Sequence, residues 1–365
     1  MKDIKYLMAF SVPFSVFISI YLRDFFSYTA VLYVFLFIPI VELFLPTHLI
    51  NFSEQESKSR LKDRFFDWLL YLNLPIVYLI LFYGLYSFNN YDIQPYEYFG
   101  FTLSLGILLA TNAINVAHEL GHRKNTFDVF ITRLLLLPCL YMHFTIEHNH
   151  GHHKNVSTEL DPATAKKGQN LYHFWISSVF GQYKNAWKIQ MKLLVNKKSS
   201  FITLENNLLL FLIYQGLYLT IIYALLGTGA LVLAFLAGFI SILFLETINY
   251  IEHYGLKRKK VGSRYERVRN IHSWNSDHIM GRIVLYELTR HSDHHFRASK
   301  KYQVLESLED SPKLPFGYPM SMLLAFVPTL WFAFMHPCLR KMEENPPIKV
   351  CLLYTSDAAD EEDSV

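Results

Sequence analysis

Four short stretches of this chain are crowded with histidine. They are His118-Glu119-Leu120-Gly121-His122, Glu147-His148-Asn149-His150-Gly151-His152-His153, Glu252-His253, and His291-Ser292-Asp293-His294-His295. Neutral imidazole is the commonest protein ligand for first-row metals. A single HxxxH is often only one face of a helix, because residues four apart share that face. HxxxH, HxxxHH and HxxHH in one chain are harder to assign to packing. Charged and close, these rings would repel one another; neutral and buried, each ring nitrogen would need a partner. Metal ions answer both problems. With His150 set aside, nine candidate ligands remain: His118, His122, His148, His152, His153, His253, His291, His294 and His295. One zinc takes about four ligands and has no redox chemistry. Nine suit two metals with four or five ligands each, leaving open positions, and a pair of irons would suit O2 activation. That choice of iron rests on the ligand count.

Glu119, Glu147, Glu252 and Asp293 each lie within two residues of a candidate ligand. A metal-bound histidine usually donates its other N–H to a carboxylate or carbonyl. Glu252 and Asp293 are the first choices for that role, against the alternative that all four are solvated charges at a membrane surface. Glu246, about a turn inside an apolar stretch, stands evenly between a functional acid and one that reaches water at a helix end. His150 is expected to face solvent, and His272 and His278 to be structural.

The elements that must carry these residues are apolar helices. Of 365 residues, 52% are hydrophobic and only 18% charged, a balance that leans towards membrane. Six stretches approach the ~20 residues that cross a bilayer: Tyr6–Leu22, Tyr28–Leu45, Trp68–Phe88, Tyr96–Ala117, Asn207–Leu226 and Gly229–Tyr250. Arg23–Ser27, Asn89–Pro95 and the Gly227-Thr228-Gly229 triplet join them as three hairpins. Those connections contain one basic residue, Arg23, whereas Asn51–Asp67, 118–205 and 251–315 are rich in lysine and arginine. The positive-inside rule then puts the histidine-bearing segments and both termini in the cytoplasm. Phe127–Phe144 and Phe316–Met335, each interrupted by proline, are expected not to span. The fold class that follows is an all-α integral membrane protein of six transmembrane helices with a cytoplasmic His-rich di-iron site.

The first apolar run follows a charged start with no small-residue cleavage site, and reads as a retained helix. Residues 1–349 are expected to form one membrane domain built around the di-iron site; 350–365 match nothing before them and are expected to be a disordered or artefactual tail. The three cysteines, Cys139, Cys338 and Cys351, make no CxxC pair, so neither an iron–sulfur centre nor a disulfide framework is encoded. A net charge of +3 names no nucleic-acid partner.

The strings HELGHRKNTFD, IEHNHGHHKN with the following Asp161-Pro162-Ala163, NYIEHYGLKR, RYERVRNIHSWNSDH and LTRHSDHHFRASKKYQVLE together resemble the alkane 1-monooxygenase family of membrane di-iron enzymes. NYIEHYGL discriminates most, since related desaturases and hydroxylases share the histidine spacings without it. The resemblance covers roughly residues 1–349. It implies that the nine histidines hold two irons, that O2 is the co-substrate, and that the terminal carbon of a medium- or long-chain n-alkane becomes a primary alcohol. It also implies a site above a substrate channel, and electrons from rubredoxin and its reductase, most simply in a bacterial inner membrane. Thr289 stands where glutamine is common, and the last sixteen residues are foreign to the pattern; neither touches a candidate ligand.

A terminal C–H bond offers no handle to an acid, base or nucleophile, so a metal must supply the oxidising chemistry while the protein positions the chain and excludes water. Phe35, Phe37 and Tyr83 could line an apolar groove, though lipid contact or helix packing is the more ordinary role for each. Lys257, Arg258, Lys259 and Lys260 could dock an acidic electron donor, though positive-inside anchoring is the more ordinary role for them. Three rivals remain: a fatty-acyl desaturase or hydroxylase sharing the same iron site, a zinc protease built on the HExxH of His118–His122, and a transporter with a histidine relay, whose polar groups should sit near the bilayer midplane.

Overall fold

The computed structural model describes residues 2–344 and is mostly helical. The expected tail lies outside the described residues. Five helical stretches are long and apolar enough to cross a bilayer: Asp3–Leu22, Asp24–Phe44, Phe65–Asn90, Pro95–Gly121 and Asn207–His253. Their outward faces carry large apolar side chains; Phe14, Leu79 and Leu225 are 64%, 69% and 71% exposed. Such a surface suits contact with lipid hydrocarbon.

Asn207–His253 runs for 47 residues but is not one straight helix. Gly227 has φ 77° and ψ −174°, a conformation open to glycine and closed to residues with a Cβ. The packing on either side of Gly227 shows that the chain turns back there. Gln215 accepts the backbone N–H of Met142 at 3.2 Å, while a Cβ on Gly238 would lie 3.0 Å from the carbonyl oxygen of Pro138. Twenty-three residues of straight helix would separate Gln215 from Gly238 by roughly 35 Å, yet both meet the 138–142 turn. A single glycine thus makes the reversal that the sequence places in the Gly-Thr-Gly triplet.

The short connections gather at one end of the bundle. The N–H of Asp24 donates to Glu97 at 2.6 Å, the Arg23 guanidinium lies 4.4 Å over the Tyr91 ring, and Phe88 comes within 3.2 Å of a Cβ placed on Gly229. The histidines lie at the other end. Phe127–Phe144 yields only the helix Thr126–Leu136, capped by Asn125 and about 16 Å long. Phe316–Met335 breaks into Tyr318–Ala325 and Pro328–Glu344.

A 26-residue helix, Leu171–Asn196, has no counterpart among the apolar stretches. Asn170 caps it by accepting the N–H of His173. Its buried polar side chains explain its place. Ser178 and Gln182 donate to Glu246 at 2.6 and 2.8 Å, and Asn185 donates to Glu147 at 2.9 Å. The helix therefore braces both the last apolar helix and the segment that carries His148.

Candidate metal centre

Each histidine cluster is delivered by a different element. The fourth apolar helix, Pro95–Gly121, carries His118 and ends just before His122. His253 is the last residue of Asn207–His253, and His291, His294 and His295 lie on the short helix His291–Phe296. The remaining three come from a helical segment, 144–155, that widens into a π turn over His148–His152.

That turn decides how the ligands are shared. In an α-helix His148 and His152 would share a face; i→i+5 winding instead sets His148 over His153, with Nε2 atoms 3.0 Å apart. His152 is turned away, its Nε2 3.2 Å from that of His295. The doublet at 294–295 divides likewise: His294 meets His118 at 2.9 Å, while His295 stays with His152. Two groups result: His118, His122, His148, His153 and His294 in one, and His152, His253, His291 and His295 in the other. Within each group the candidate ligand atoms lie within 4.8 Å of one another.

The donor sets fit metal ions. Bonds of about 2.1 Å to one ion would put neighbouring nitrogens roughly 3–4 Å apart, close to the observed spacing. The His122 Nε2 is buried with no hydrogen-bond partner, as expected of a lone pair reserved for an ion. Burial, then one another's charge, pushes His148, His153, His291, His294 and His295 well below the ordinary imidazole range. They are held neutral, the form that binds a metal.

The acids divide by role. Glu252 faces the site, with Oε2 3.1 Å from the His291 Nε2 and Oε1 accepting the Tyr318 hydroxyl at 2.6 Å. Asp293 accepts Lys300 at 2.7 Å and the N–H of Glu306 at 2.8 Å, bracing the loop behind the short helix. Glu119 pairs with Arg123 at 3.0 Å, so the HExxH glutamate is engaged in an ion pair and is not a free base. Glu147 accepts Asn185, and burial followed by the nearby Asp161 charge pushes its carboxyl up to about 7. Glu246 is wholly buried and accepts from Tyr141, Ser178 and Gln182. His150 is exposed. His272 accepts the N–H of Arg269 at 2.9 Å, and His278 lies 3.0 Å from the Ser276 hydroxyl.

Asp161 is the carboxylate that sequence reasoning left without a role. Its Oδ2 lies 2.9 Å from the His152 Nδ1 and accepts the Thr164 hydroxyl at 2.6 Å. Burial opposes charge on His152, but Asp161 outweighs it and raises the ring's proton affinity. A carboxylate on Nδ1 fixes the tautomer and leaves Nε2 free for an ion.

Comparison with known proteins places this arrangement. The family described as fatty acid desaturase matches residues 95–324. An alkane 1-monooxygenase of Alcanivorax borkumensis is 39% identical over 303 residues, 81% of this chain and 73% of the relative. An alkane 1-monooxygenase of Pseudomonas putida is 35% identical, covering 82% of this chain and 75% of its own length. This chain belongs to the alkane 1-monooxygenase family. A xylene/toluene monooxygenase hydroxylase component from Pseudomonas putida is a further relative, 30% identical over 79% of this chain and 78% of that protein.

Two cavities adjoin one another in this part of the bundle, and one of them reaches the histidines. One is lined by Val34, Phe35 and Ile38 of the second helix, Phe244 of the last, and Val284 and Met322, among others. Its lining residues include no charged side chain. The other reaches His118, His148 and His291. Phe35 thus lines a cavity. Phe37 is 51% exposed on the lipid face, and Tyr83 packs against Phe17 at 5.7 Å. Among the basic residues after His253, Arg258 donates to the carbonyls of Lys154 and Glu266 and so clamps the π-turn segment, while Lys257, Lys259 and Lys260 are exposed.

Proposed function

We propose that this protein hydroxylates the terminal carbon of medium- or long-chain n-alkanes, using two irons, O2 and electrons from an external donor. The observation that carries this reading is the charge-free cavity next to the one that reaches two groups of converging histidines, in a chain whose relatives at 35–39% identity are named alkane 1-monooxygenases. In the overall balance, R–CH3, O2, two electrons and two protons give R–CH2OH and water. Bound iron would supply the O2 reduction and C–H oxidation that no side chain can perform. His118, His122, His148, His153 and His294 would hold one ion, and His152, His253, His291 and His295 the other.

The remaining work belongs to the chain's own residues. The cavity between the first, second, fourth and last helices accepts the alkane, each buried methylene contributing ~0.8 kcal/mol. Val12, Val34, Ile107 and Met322 keep water from the chain. Asp161 holds the His152 ring in register, and Glu252 stands within reach of His291. A charged acyl headgroup would find no partner among the residues lining this cavity, which favours alkanes over polar-headed acyl lipids.

We read the Gly227 reversal as the third of three hairpins, giving six crossings with the histidines and both termini on the cytoplasmic side of a bacterial inner membrane. The donor is rubredoxin, itself reduced by rubredoxin reductase; both described cysteines, Cys139 and Cys338, are free and far apart in sequence, and the exposed Lys257, Lys259 and Lys260 suit an acidic partner. The test supplies membrane-reconstituted protein with rubredoxin, reductase, reduced nicotinamide cofactor, 18O2 and n-octane or n-hexadecane. The expected product is a primary alcohol carrying one 18O. Alcohol without label, or no product from either alkane, would overturn the reading.

A further inference from the structure

The two cavities share only four lining residues: Ala110, Ile248, Leu285 and Tyr318. These four form the throat between the apolar cavity and the histidines. Three are aliphatic and come from the fourth helix, the last helix and the segment after Ile279–Val284. The fourth is different in kind. Tyr318 is 2% exposed, and its hydroxyl donates to Glu252 at 2.6 Å. The other oxygen of Glu252 lies 3.1 Å from the His291 ring. Tyr318 is therefore fixed through two short contacts to the wall of the metal centre, and a phenol so held has little rotamer freedom left.

Its backbone is fixed as well. Tyr318 and Pro319 open the helix Tyr318–Ala325. A carboxylate from the second helix packs against the preceding residue: Glu42 accepts the N–H of Gly281 at 2.8 Å, and a Cβ on Gly317 would sit 1.9 Å from its other oxygen. Only glycine leaves room for that carboxylate. The second helix is thereby hydrogen-bonded to the Gly281 segment and closely packed on the start of Tyr318–Ala325, beside the throat.

We propose that Tyr318 is the specificity-determining wall of this throat: locked by Glu252, it admits the alkane in single file and so presents the terminal carbon, excluding the bend that would bring a subterminal carbon to the irons. The inference rests on the proposed alkane hydroxylation and adds to it the residue that sets regiochemistry. A substrate with no polar group cannot be registered by hydrogen bonds, so steric confinement is what remains to discriminate adjacent methylene and methyl carbons.

The test compares wild type with Tyr318→Phe, which keeps the ring and frees it from Glu252, and Tyr318→Ala, which opens the throat. Three quantities are read: the ratio of 2-octanol to 1-octanol from n-octane, iron per chain, and binding of n-dodecane to the metal-stripped protein. Tyr318→Ala is expected to retain iron, to bind n-dodecane at least as tightly as wild type, and to raise the 2-octanol ratio roughly tenfold, the scale of one methylene's discrimination in an apolar pocket. Tyr318→Phe should fall between the two. An unchanged product ratio in Tyr318→Ala with wild-type iron would overturn the proposal. Should that variant lose iron or fail to fold, Leu285→Ala widens the same throat at a residue that makes no hydrogen bond to Glu252: a raised 2-octanol ratio there supports the throat, and an unchanged one overturns it. Failure of the alkane reading itself looks different, because wild type would then give no octanol at all.

Discussion

His152 and His153 are neighbours in the chain and belong to different metal groups, as do His294 and His295. Each doublet thus contributes one ring to either group. The nine histidines were legible because their types and spacings are rare outside metal sites. Their division into five and four was not, because sequence spacing alone assumes α-helical winding, and His148–His152 is wound as a π turn. Asp161 escaped for another reason: it lies nine residues after His152 and reaches it only because the loop folds back. Its role is separable from that of the ligands. Asp161→Asn removes the charge on the His152 Nδ1 and keeps the shape. A missing carboxylate partner typically costs 10–100-fold in metal affinity. The expected outcome is loss of iron from the four-histidine group first, seen as about half the wild-type iron per chain after dialysis against a weak chelator. Wild-type retention would show that Asp161 does not tune His152.

At the scale of the element, the π turn is held by its neighbours. A Cβ on Gly151 would lie 2.5 Å from the Glu147 carboxylate and 2.8 Å from the Asn185 amide. The long helix Leu171–Asn196 supplies Asn185 and presses the turn into place. The sequence shows no apolar run there, since the buried face of that helix interrupts Leu171, Phe174, Ala186 and Leu194 with Ser178, Gln182 and Gln190, the first two bonded to the Glu246 carboxylate. Gly151→Ala must displace one of these partners, and overpacking of this kind costs about 1–3 kcal/mol. We expect a lower unfolding midpoint in detergent together with iron loss, since His152 and His153 flank the strained residue. A variant with the wild-type midpoint and iron content would mean that the turn tolerates a side chain. The apolar helices themselves were readable to within a few residues, because hydropathy is fixed by the bilayer. The helices that hold the metal-bearing end obey local hydrogen bonding and leave a weaker trace.

Across the whole molecule, a buried ionic network ties the first helix to the segment that precedes His291. Tyr6 donates to Glu287 at 2.6 Å, Arg282 donates to the same carboxylate at 2.6 Å, and Arg290, fully buried, lies 3.7 Å from it. Burial alone would push the Glu287 carboxyl up; the Arg282 and Arg290 guanidiniums outweigh it and hold the group below the usual carboxylate range. A folded-state value below the unfolded one contributes stability that is complete above about pH 4.3 and lost as pH falls through the folded value. Breaking a buried pair from one side costs about 3–5 kcal/mol. Glu287→Gln is thus expected to lower the unfolding midpoint at neutral pH and to flatten its fall on acidification. An acid profile parallel to wild type would assign the acid sensitivity elsewhere. Arg282, Glu287 and Arg290 are close in sequence, but Tyr6 and Glu287 are 281 residues apart, so the tie between the first helix and this segment was invisible to pattern and spacing.

The central claim is that nine imidazoles at one end of the bundle hold two irons, five around one and four around the other. Metal analysis of the purified, membrane-reconstituted protein tests it most directly, with His153→Ala and His152→Ala measured beside wild type. The expected result is two irons per chain with little zinc, and in each variant preferential loss of the ion whose group the histidine belongs to. A single ion per chain, stoichiometric zinc, or wild-type iron in both variants would contradict it.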